Sequence, residues 1–516
     1  MKTLLSACGI ALMMSTGGAV AQDSSGRLPR TLDLQGRIVT VPSPLVVDSR
    51  QIDPIATPLQ FDDTYFDAIN NALRVNIAGF PLDRTTFVDL ELENFDVFDP
   101  QAVLVRGTED GDVPIARPNL ATLRGSIVGI PGSKVYLAIS PNMSNGIIEF
   151  DGTTYVVSNG SFAQQTGITI YNMSDLPEGQ INWIDYACTL ITPPDQEYAA
   201  RGDDDDDDDV TEQPCRVAKV AIEADTEFSQ LFMQQDPSVA SDMTIEYIES
   251  LVGGVTEIYA NSWNMRLSIV YTRIWPDPGI ADPWLGTDTP SVLDEMNAVW
   301  TEFGAPYAGE WHGAHHLSGK PLGGGIAYLA TFCNLNLAQA VSGNMNGFFP
   351  SPIESNLPQN WDLVVTAHEW GHNFGAPHTH GLNPPVDQCA FGQCATAENG
   401  TIMSYCHLCP GGLSNIALFF HQRILEEGII PYVSLGIPQL RNPCVLLAQS
   451  QEECEGGLVE CIADINGDGI LTPTDFTAWV VAYNAGDLAA DCNRNGTLEP
   501  ADFSAWVASW VAGCDE

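Results

Sequence analysis

Apolar and polar positions change their spacing along the chain, and these changes predict regions of different structure. Between residues 23 and 200, short apolar runs alternate with polar residues and are broken by many glycines and prolines. This pattern favours β-strands, and the segments 135–139 and 146–150 are the clearest candidates. The first large region is therefore predicted to be β-rich.

The pattern becomes mixed after Cys215. Residues 217–222 and 266–275 are typical of strands, whereas residues 241–263 carry apolar side chains at helical spacing. Strands that alternate with helices predict an α/β region. Before it, seven aspartates occupy positions 203–209, and such a run repels itself and predicts a linker or exposed loop.

The first residues have the features of a secretory signal peptide. Lys2 is followed by a largely apolar stretch at 4–14, and residues 19–21 form a small-x-small cleavage site. A lipid anchor on Cys8 is the alternative, but too few residues precede this cysteine. Cleavage after Ala21 would leave an even number of cysteines in an exported chain, which favours disulfides.

Charge narrows the possible partners. The chain has 66 acidic and 20 basic residues, a net charge of -46 and a pI near 4.1. Such a surface repels nucleic acid and anionic membranes. After the signal peptide, no stretch reaches the ~18 apolar residues of a membrane span. With 44% hydrophobic residues, the chain is predicted to fold.

A histidine motif carries the candidate chemistry. Residues 362–367 are compatible with a helix, which would place His368 and His372 one turn apart on one face. Gly375 can end that helix in a left-handed conformation, so that the chain turns back and His378 becomes a third ligand. Three histidines around one zinc leave the fourth position for water.

Glu369 follows the first histidine and is the candidate general base. It would take a proton from the zinc-bound water and pass it to the departing amine of a peptide bond. The alternative is a zinc site without turnover. The extended motif with Gly375 and a third histidine is far more restrictive than two histidines alone, and it favours catalysis.

The motif resembles that of the metzincin metalloproteases, and the sequence of residues 373–378 is similar to that of the adamalysin, or reprolysin, branch. This resemblance implies a mixed sheet with an active-site helix, and it implies that Met403 forms a hydrophobic floor below the metal. It also implies that Tyr405 either approaches the zinc or packs behind it. The family has Asp after the third histidine, where this chain has Thr379 and then His380. His380 is an alternative ligand, but its offset favours His378.

The resemblance also suggests where a substrate lies. In the family, the segment corresponding to 317–328 leads into an edge strand on which an extended peptide lies antiparallel. The main chain of this segment would hold the peptide by β-augmentation. The predicted substrate-binding residues are Gly325, Ile326, Ala327 and Tyr328. The alternative is a glycine-rich turn before a core strand.

The β-rich region occupies the position of a propeptide in such proteases. Cys188 is its one cysteine after signal removal, and its thiolate could occupy the open zinc position. A disulfide with Cys215 is the alternative. Cysteines between 389 and 409 flank the methionine turn and favour disulfides over a structural zinc cluster. His312, His315 and His316 lack a companion ligand pattern and are expected to be surface or packing residues.

The carboxy-terminal residues contain two twelve-residue calcium loops with oxygen ligands at regular positions. The predicted ligands of the first loop are Asp464, Asn466, Asp468, Ile470, Thr472 and Asp475. Those of the second loop are Asp491, Asn493, Asn495, Thr497, Glu499 and Asp502. Each loop leads into a similar helix with Phe and Trp at matching positions, which predicts a shared core.

The paired loops resemble a dockerin, which implies a cohesin-like or cell-surface partner; simple stabilisation by calcium is the alternative. The predicted organisation is a signal peptide 1–21, a β-rich propeptide-like domain 22–200, an acidic linker 201–214, a metzincin catalytic domain 215–445, a linker 446–460 and a small α-helical calcium module 461–516. The predicted function is a secreted endopeptidase with one zinc and two calcium ions. The alternative is an extracellular adhesion or scaffold protein with a structural zinc site.

Overall fold

The structure is a computed structural model that describes residues 38–193, 215–232, 237–354, 357–435, 473–485 and 498–512, together with residues 463, 490 and 492. The predicted signal peptide, aspartate run and linker 446–460 lie outside the described residues. Among the helices described, none is both long and apolar enough to cross a membrane.

The amino-terminal region is built mainly from strands, as predicted. In chain order they are β1 (Ile38–Pro42), β2 (Leu45–Val47), β3 (Thr57–Phe61), β4 (Arg74–Pro81), β5 (Phe87–Asn94), β6 (Phe98–Arg106), β7 (Val113–Pro114), β8 (Ala121–Ile127), β9 (Lys134–Ile139), β10 (Ser144–Phe150), β11 (Thr153–Ser158), β12 (Thr169–Asn172), β13 (Asn182–Trp183) and β14 (Ala187–Ile191). Helix α1 (Phe66–Asn71) lies between β3 and β4. The two clearest strand candidates of the sequence correspond to β9 and β10.

Ten of these strands form one sheet in the order β1-β4-β5-β8-β9-β10-β11-β12-β3-β2. Alternation of side chains explains how the sheet acquires a core. In β5, Leu90 and Leu92 are buried, whereas Asp89 and Glu91, which alternate with them, are exposed. Leu90 and Leu92 belong to a hydrophobic cluster with residues of β4, β8 and β9.

The region after Cys215 alternates strands and helices. Its strands are β15 (Arg216–Ala224), β16 (Met265–Ile274), β17 (Gly313–Leu317), β18 (Gly324–Tyr328), β19 (Gln339–Ser342), β20 (Pro358–Gln359), β21 (Gly400–Thr401) and β22 (Ile416–Ala417). Its helices are α2 (Thr226–Gln230), α3 (Pro237–Trp263), α4 (Thr289–Val299), α5 (Asp362–Asn373), α6 (Gln422–Ile424) and α7 (Ile430–Leu435), with a π-helical turn at Leu425–Ile429. The predicted strands at 217–222 and 266–275 correspond to β15 and β16, and the predicted helix to α3.

The second large sheet draws strands from both regions. Its order is β14-β18-β19-β17-β15-β16-β6-β7. Most neighbours are parallel, and β18 runs antiparallel to β19. The predicted boundary at 201–214 therefore does not separate the sheets, because β6, β7 and β14 precede it and join the strands that follow it. The boundary rested on the local pattern, which does not reveal partners so distant in sequence.

Two buried helices meet behind this sheet. The Tyr259 hydroxyl on α3 donates a hydrogen bond of 2.7 Å to the carbonyl oxygen of Ala367 on α5. Gly254 permits this close approach, because a Cβ added there would lie 2.9 Å from the Leu363 side chain on α5. All twelve residues of α5 are buried. His368, Glu369 and His372 are thus held in the core on a helix.

The carboxy-terminal part that the structure describes is a pair of helices, α8 (Pro473–Ala485) and α9 (Pro500–Ala512). The indole nitrogens of Trp479 and Trp506 donate to the carbonyl oxygens of Ala490 (3.2 Å) and Ala463 (3.0 Å). The two bonds are reciprocal, because Ala490 precedes the second predicted loop and Ala463 precedes the first, and the two tryptophans lie in one hydrophobic cluster. This arrangement agrees with the repeat and the shared core expected from the sequence.

Candidate metal centre

Helix α5 positions the first two histidines of the motif. At its start, the Asp362 carboxylate accepts hydrogen bonds from the backbone N–H groups of Asn346 and Gly347, both at 2.9 Å. At its end, the Asn373 side-chain amide donates to the carbonyl oxygen of Tyr328 at 2.9 Å. Both ends of the helix are therefore fixed to neighbouring segments, and the second of these bonds ties it to β18.

Gly375 ends the helix in the way the sequence predicts. Its φ of 98° lies in the left-handed region, which glycine adopts without strain. The backbone N–H groups of Gly375 and Ala376 donate to the carbonyl oxygens of His372 and Gly371, both at 2.9 Å. The reversed chain then brings the His378 side chain back toward the helix.

The three histidines meet at their Nε2 atoms. The Nε2 of His372 lies 3.1 Å from that of His368 and 3.1 Å from that of His378, and the remaining separation is 3.2 Å. A single zinc ion at the usual ~2.0–2.1 Å from each nitrogen fits such a triangle. His380, the alternative third ligand, lies outside the group of ligand atoms and stacks on His378 with ring centroids 5.0 Å apart.

Hydrogen bonds on the other ring nitrogens test whether these residues suit a metal. The Nδ1 of His368 donates to the carbonyl oxygen of Ile402, and that of His372 to the carbonyl oxygen of Ala376, both at 2.7 Å. Burial lowers the pKa of His368 and, to about 4, that of His372, so both rings are neutral. Their Nε2 lone pairs thus face one another without a proton between them, an arrangement that a shared cation stabilises.

Glu369 provides a second sign that the site is built for a ligand. Its carboxylate is fully buried, and its Oε1 has no hydrogen-bond partner among the described residues. Burial raises the pKa of this carboxyl well above its usual range. A divalent cation nearby would lower it again, because positive charge favours the ionised form.

Gly325 makes room for the Glu369 carboxylate. A Cβ added at Gly325 would lie 2.1 Å from Oε1, so any side chain at this position would displace the carboxylate. The sequence associated Gly325 with the substrate strand only. It gave no signal for this second role, because Gly325 and Glu369 meet only in the folded chain.

Met403 lies behind α5. A Cβ added at Gly371, between the two helical histidines, would lie 3.0 Å from the Met403 sulfur, which shows how closely the side chain approaches the helix. Met403 is fully buried, and its carbonyl oxygen accepts a hydrogen bond of 3.1 Å from the backbone N–H of Thr379. The structure therefore places this turn against the backbone of both histidine-bearing segments.

Tyr405 reaches the amino-terminal region. Its ring centroid lies 4.7 Å from that of His378, and its hydroxyl donates a hydrogen bond of 2.7 Å to the carbonyl oxygen of Cys188. His407, which the sequence did not single out, donates through Nε2 to the carbonyl oxygen of Tyr186 at 3.0 Å. Both residues hold the segment that contains Cys188 across the histidines.

Cys188 is a free thiol and lies in the site. Its sulfur is 3.3 Å from the Nε2 of His372 and 3.4 Å from the Oε2 of Glu369. With the three histidines it forms a group whose possible ligand atoms all lie within 4.8 Å of one another. The alternative of a Cys188–Cys215 disulfide is wrong, since Cys215 is bonded elsewhere.

The predicted substrate-binding residues, Gly325 to Tyr328, form most of β18, and β14 covers this strand. The pair is parallel, with Cys188 opposite Gly325 and Ile191 opposite Tyr328. In the described structure, the chain's own strand thus fills the edge on which the sequence predicts an antiparallel substrate.

Disulfides stiffen the loops after α5. Cys389 pairs with Cys406, and Cys394 pairs with Cys409. The alternative of a structural zinc cluster for these four cysteines is therefore wrong, because paired sulfurs are not thiolate ligands. His315 and His316 are fully buried in β17, in agreement with the expected packing role, and His312 is half-buried.

Most predicted calcium ligands lie outside the described residues, namely Asp464, Asn466, Asp468, Ile470, Thr472, Asp491, Asn493, Asn495 and Thr497. The structure describes the last position of each loop. Asp475 and Asp502 are fully buried at the first turns of α8 and α9, and the Asp502 carboxylate accepts a hydrogen bond of 2.7 Å from the Glu499 backbone N–H. Calcium binding stays a prediction.

Residues 214–419 match the family model Reprolysin_5, described as metallo-peptidase family M12. The match covers less than half of the chain and includes α5, the three histidines, Glu369 and Met403. It supports a zinc-dependent metallopeptidase of the reprolysin type, and it does not extend to the carboxy-terminal helix pair.

Proposed function

We propose that the protein is a secreted, zinc-dependent endopeptidase whose centre consists of His368, His372, His378 and Glu369. The observation that carries this proposal is the meeting of three Nε2 atoms within 3.2 Å, beside a buried carboxylate oxygen without a partner among the described residues. A purely structural zinc site would have no use for such a carboxylate next to the ligands. The family match over the same residues supports the same chemistry.

The histidines, Glu369 and Tyr405 have different roles in the proposed reaction. A zinc ion held by the three nitrogens would lower the pKa of a water molecule and polarise the peptide carbonyl. Glu369 removes a proton from the attacking water and delivers it to the nitrogen of the departing amine. The Tyr405 hydroxyl, which donates to the Cys188 carbonyl in the closed chain, can donate instead to the carbonyl oxygen of the substrate.

Strand β18 is the proposed site of substrate binding. The backbone of Gly325 to Tyr328 pairs with β14 in the structure. Its hydrogen-bonding groups can hold another extended segment once β14 leaves. Recognition through backbone groups suits protein or peptide substrates of varied sequence. Side-chain preference then depends on the pockets beside the strand.

We also propose that the intact chain is latent. The Cys188 sulfur lies 3.3 Å from the Nε2 of His372, so its thiolate can take the fourth position on the zinc and exclude water. Its strand occupies the substrate edge at the same time. One short segment therefore blocks both the chemistry and the binding of peptide.

For the carboxy-terminal module we propose calcium-dependent folding and attachment to a cohesin-like or cell-surface partner. The reciprocal hydrogen bonds of Trp479 and Trp506 and the buried Asp475 and Asp502 support paired calcium loops. Phe476 and Phe503 remain 43% and 40% exposed, which leaves apolar side chains available to a partner. Stabilisation by calcium alone is the alternative.

A casein assay tests the proposed activity. Zinc-loaded protein with Cys188 replaced by Ser should cleave casein, and adding Glu369→Ala should abolish cleavage while the bound zinc, measured by elemental analysis, stays near one per chain. The matched control is Glu398→Ala, which removes an exposed glutamate and should leave the rate unchanged. Equal rates with and without Glu369 would contradict the mechanism and favour the adhesion or scaffold alternative.

A further inference from the structure

The β-rich region completes the sheet of the peptidase at the edge opposite the metal centre. Strand β6 pairs in parallel with β16, with Val103 opposite Tyr271 and Val105 opposite Arg273. Without β6, the backbone of β16 would be an open edge of the kind that native sheets avoid. This strand is therefore part of the architecture of the catalytic half.

The two regions also share one hydrophobic core. Phe95, Val97 and Tyr136 of the β-rich region lie in the same cluster of buried side chains as Val252 and Leu363 of α3 and α5. Such a core resembles the interior of a domain and differs from the polar contact of two parts that separate.

Helix α3 is shaped to receive the β-rich region. A Cβ added at Gly253 would lie 2.5 Å from the Tyr136 hydroxyl, and one added at Gly254 would lie 3.3 Å from the same ring. The Tyr136 hydroxyl donates a hydrogen bond of 2.6 Å to the carbonyl oxygen of Ser250. Two adjacent glycines inside a helix weaken it, and here they open a notch that this tyrosine fills.

Buried charges cross the same interface. Arg117 lies 2.8 Å from the Oε1 of Glu249, a fully buried residue of α3, and 2.6 Å from the Oδ1 of Asp96. Arg124 pairs with Glu93 at 2.6 Å and lies 3.7 Å from Glu257 of α3. Removing the β-rich region would leave the carboxylates of α3 without these cations, which is costly for buried charges.

The segment that blocks the metal centre is attached in a different way. None of the five residues of β14 is buried, and only Leu190 and Ile191 pack against the margins of hydrophobic clusters. The strand pairs with β18 through its backbone, and the Tyr405 hydroxyl donates to its Cys188 carbonyl oxygen. The buried Tyr186 lies just before the strand and anchors the preceding chain in the core. Strand β14 can therefore open locally without disturbing the core.

We propose that residues 38–186 are a permanent part of the mature enzyme, and that the cleft opens when the segment 187–191 alone leaves β18. That the β-rich region stays bound to the catalytic half is independent of any activity. That the cleft opens at β18 rests on the proposed function. Maturation then yields a two-part enzyme and not a peptidase freed from residues 22–200.

A chain with a designed cut tests this permanence. The aspartates at 203–209 are replaced by the recognition sequence of a site-specific protease, in a Glu369→Gln background that prevents self-cleavage. Cys188 is a free thiol and the region 22–200 contains no other cysteine, so no disulfide joins the two fragments. After cutting, both fragments should elute together, one to one, from a size-exclusion column, at concentrations down to the order of 10 nM. Separation of the fragments, in whatever state they emerge, would overturn the proposal.

Hydrogen exchange on the same cut protein tests which segment moves. With Cys188→Ser, the amides of β14 should exchange at least about tenfold faster than those of β6. If the amides of β14 and β6 exchange at equal rates, the selective opening of β14 is contradicted. Activity is then measured with Glu369 restored in the Cys188→Ser protein; if co-elution and the faster exchange of β14 both hold but no activity appears, the proposed function fails and the association stands.

Discussion

In the eight-stranded sheet, the five strands that follow residue 215 are flanked on both sides by strands of the amino-terminal region, and the two contacts differ. At β18, the incoming strand β14 has no buried residue and brings one half-buried thiol to the histidines. At β16, the incoming strand β6 buries Phe98, Leu104 and Val105, and ion pairs to α3 reinforce the contact. Under the proposed function, one region therefore serves both as a removable block and as permanent structure, because the two tasks fall on different strands.

Energetics support this division. A buried aliphatic or aromatic side chain contributes ~1.5–3 kcal/mol, whereas an exposed backbone hydrogen bond contributes only ~1 kcal/mol net. Strand β6 and its neighbours are therefore expected to stay bound to β16 and α3 under conditions in which β14 dissociates from β18.

The strongest effect is expected at the contact between the β-rich region and α3. Arg117→Ala would leave Glu249 buried without its cation, and the free energy of unfolding should fall by ~3–5 kcal/mol in urea denaturation. The control is Lys219→Ala, which removes the exposed pair with Glu310 and should cost less than ~1 kcal/mol. Similar losses for both variants would contradict the assignment of a buried ionic contact.

A pH dependence is expected at the same interface. Glu246 of α3 accepts hydrogen bonds from Ser140 and Asn142, and burial raises its pKa to about 7 from the ordinary 4.5, with Glu249 and Asp242 adding repulsion. Because the unfolded chain loses this proton first, the contribution to the free energy of unfolding should fall by up to ~3 kcal/mol between pH 4.5 and pH 7 and stay flat above.

Glu246→Gln should remove this part of the pH dependence, as measured by denaturation at several pH values. Replacing the exposed Glu302 by Gln serves as the control and should leave the profile unchanged. A Glu246→Gln profile that runs parallel to that of the wild type would show that this carboxyl does not titrate at the interface.

At the cleft, Gly325→Ala should disturb the base. Its Cβ would lie 2.1 Å from the Glu369 carboxylate, so the carboxylate would have to move by ~1 Å, and a misplacement of ~1 Å can cost ~10²-fold in rate. Peptide hydrolysis is measured in a Cys188→Ser background, together with the zinc content, which should not change. Gly381→Ala is the matched control, since a Cβ there meets nothing within 4 Å. Unaltered hydrolysis by the Gly325 variant would contradict the placement of Glu369.

The smallest effect is expected from releasing the block. Cys188→Ser in the intact chain should raise peptide hydrolysis by about tenfold or more, because serine is a weaker zinc ligand than a thiolate. Thr189→Ala, at an exposed neighbouring position of β14, should leave hydrolysis low. An intact chain that is as active with Cys188 as without it would rule out latency through this thiol.

Local signals explain why much of the site could be predicted. Helical spacing places His368 and His372 on one face, and Gly375 has the conformational freedom for the turn that returns His378. Strands β9, β10, β15 and β16 follow from alternation and apolar runs. Each of these features depends on residues close together in sequence.

The remaining features depend on partners far apart in sequence. Nothing in the pattern of residues 98–106 reveals that β6 joins β16, because a strand's neighbours are set by the whole fold. The sequence likewise left Cys188 open between a thiolate and a disulfide. Only the fold places its sulfur beside His372, and only the fold pairs Cys389 with Cys406.

X-ray absorption at the zinc edge of the intact, zinc-loaded chain tests the central claim most directly. Three histidines with Cys188 as the fourth ligand predict three nitrogen neighbours at ~2.0–2.1 Å and one sulfur at ~2.3 Å. In the Cys188→Ser variant, the sulfur should be replaced by a nitrogen or oxygen neighbour. Zinc that fails to bind one per chain, or a wild-type spectrum without a sulfur neighbour, would contradict the account.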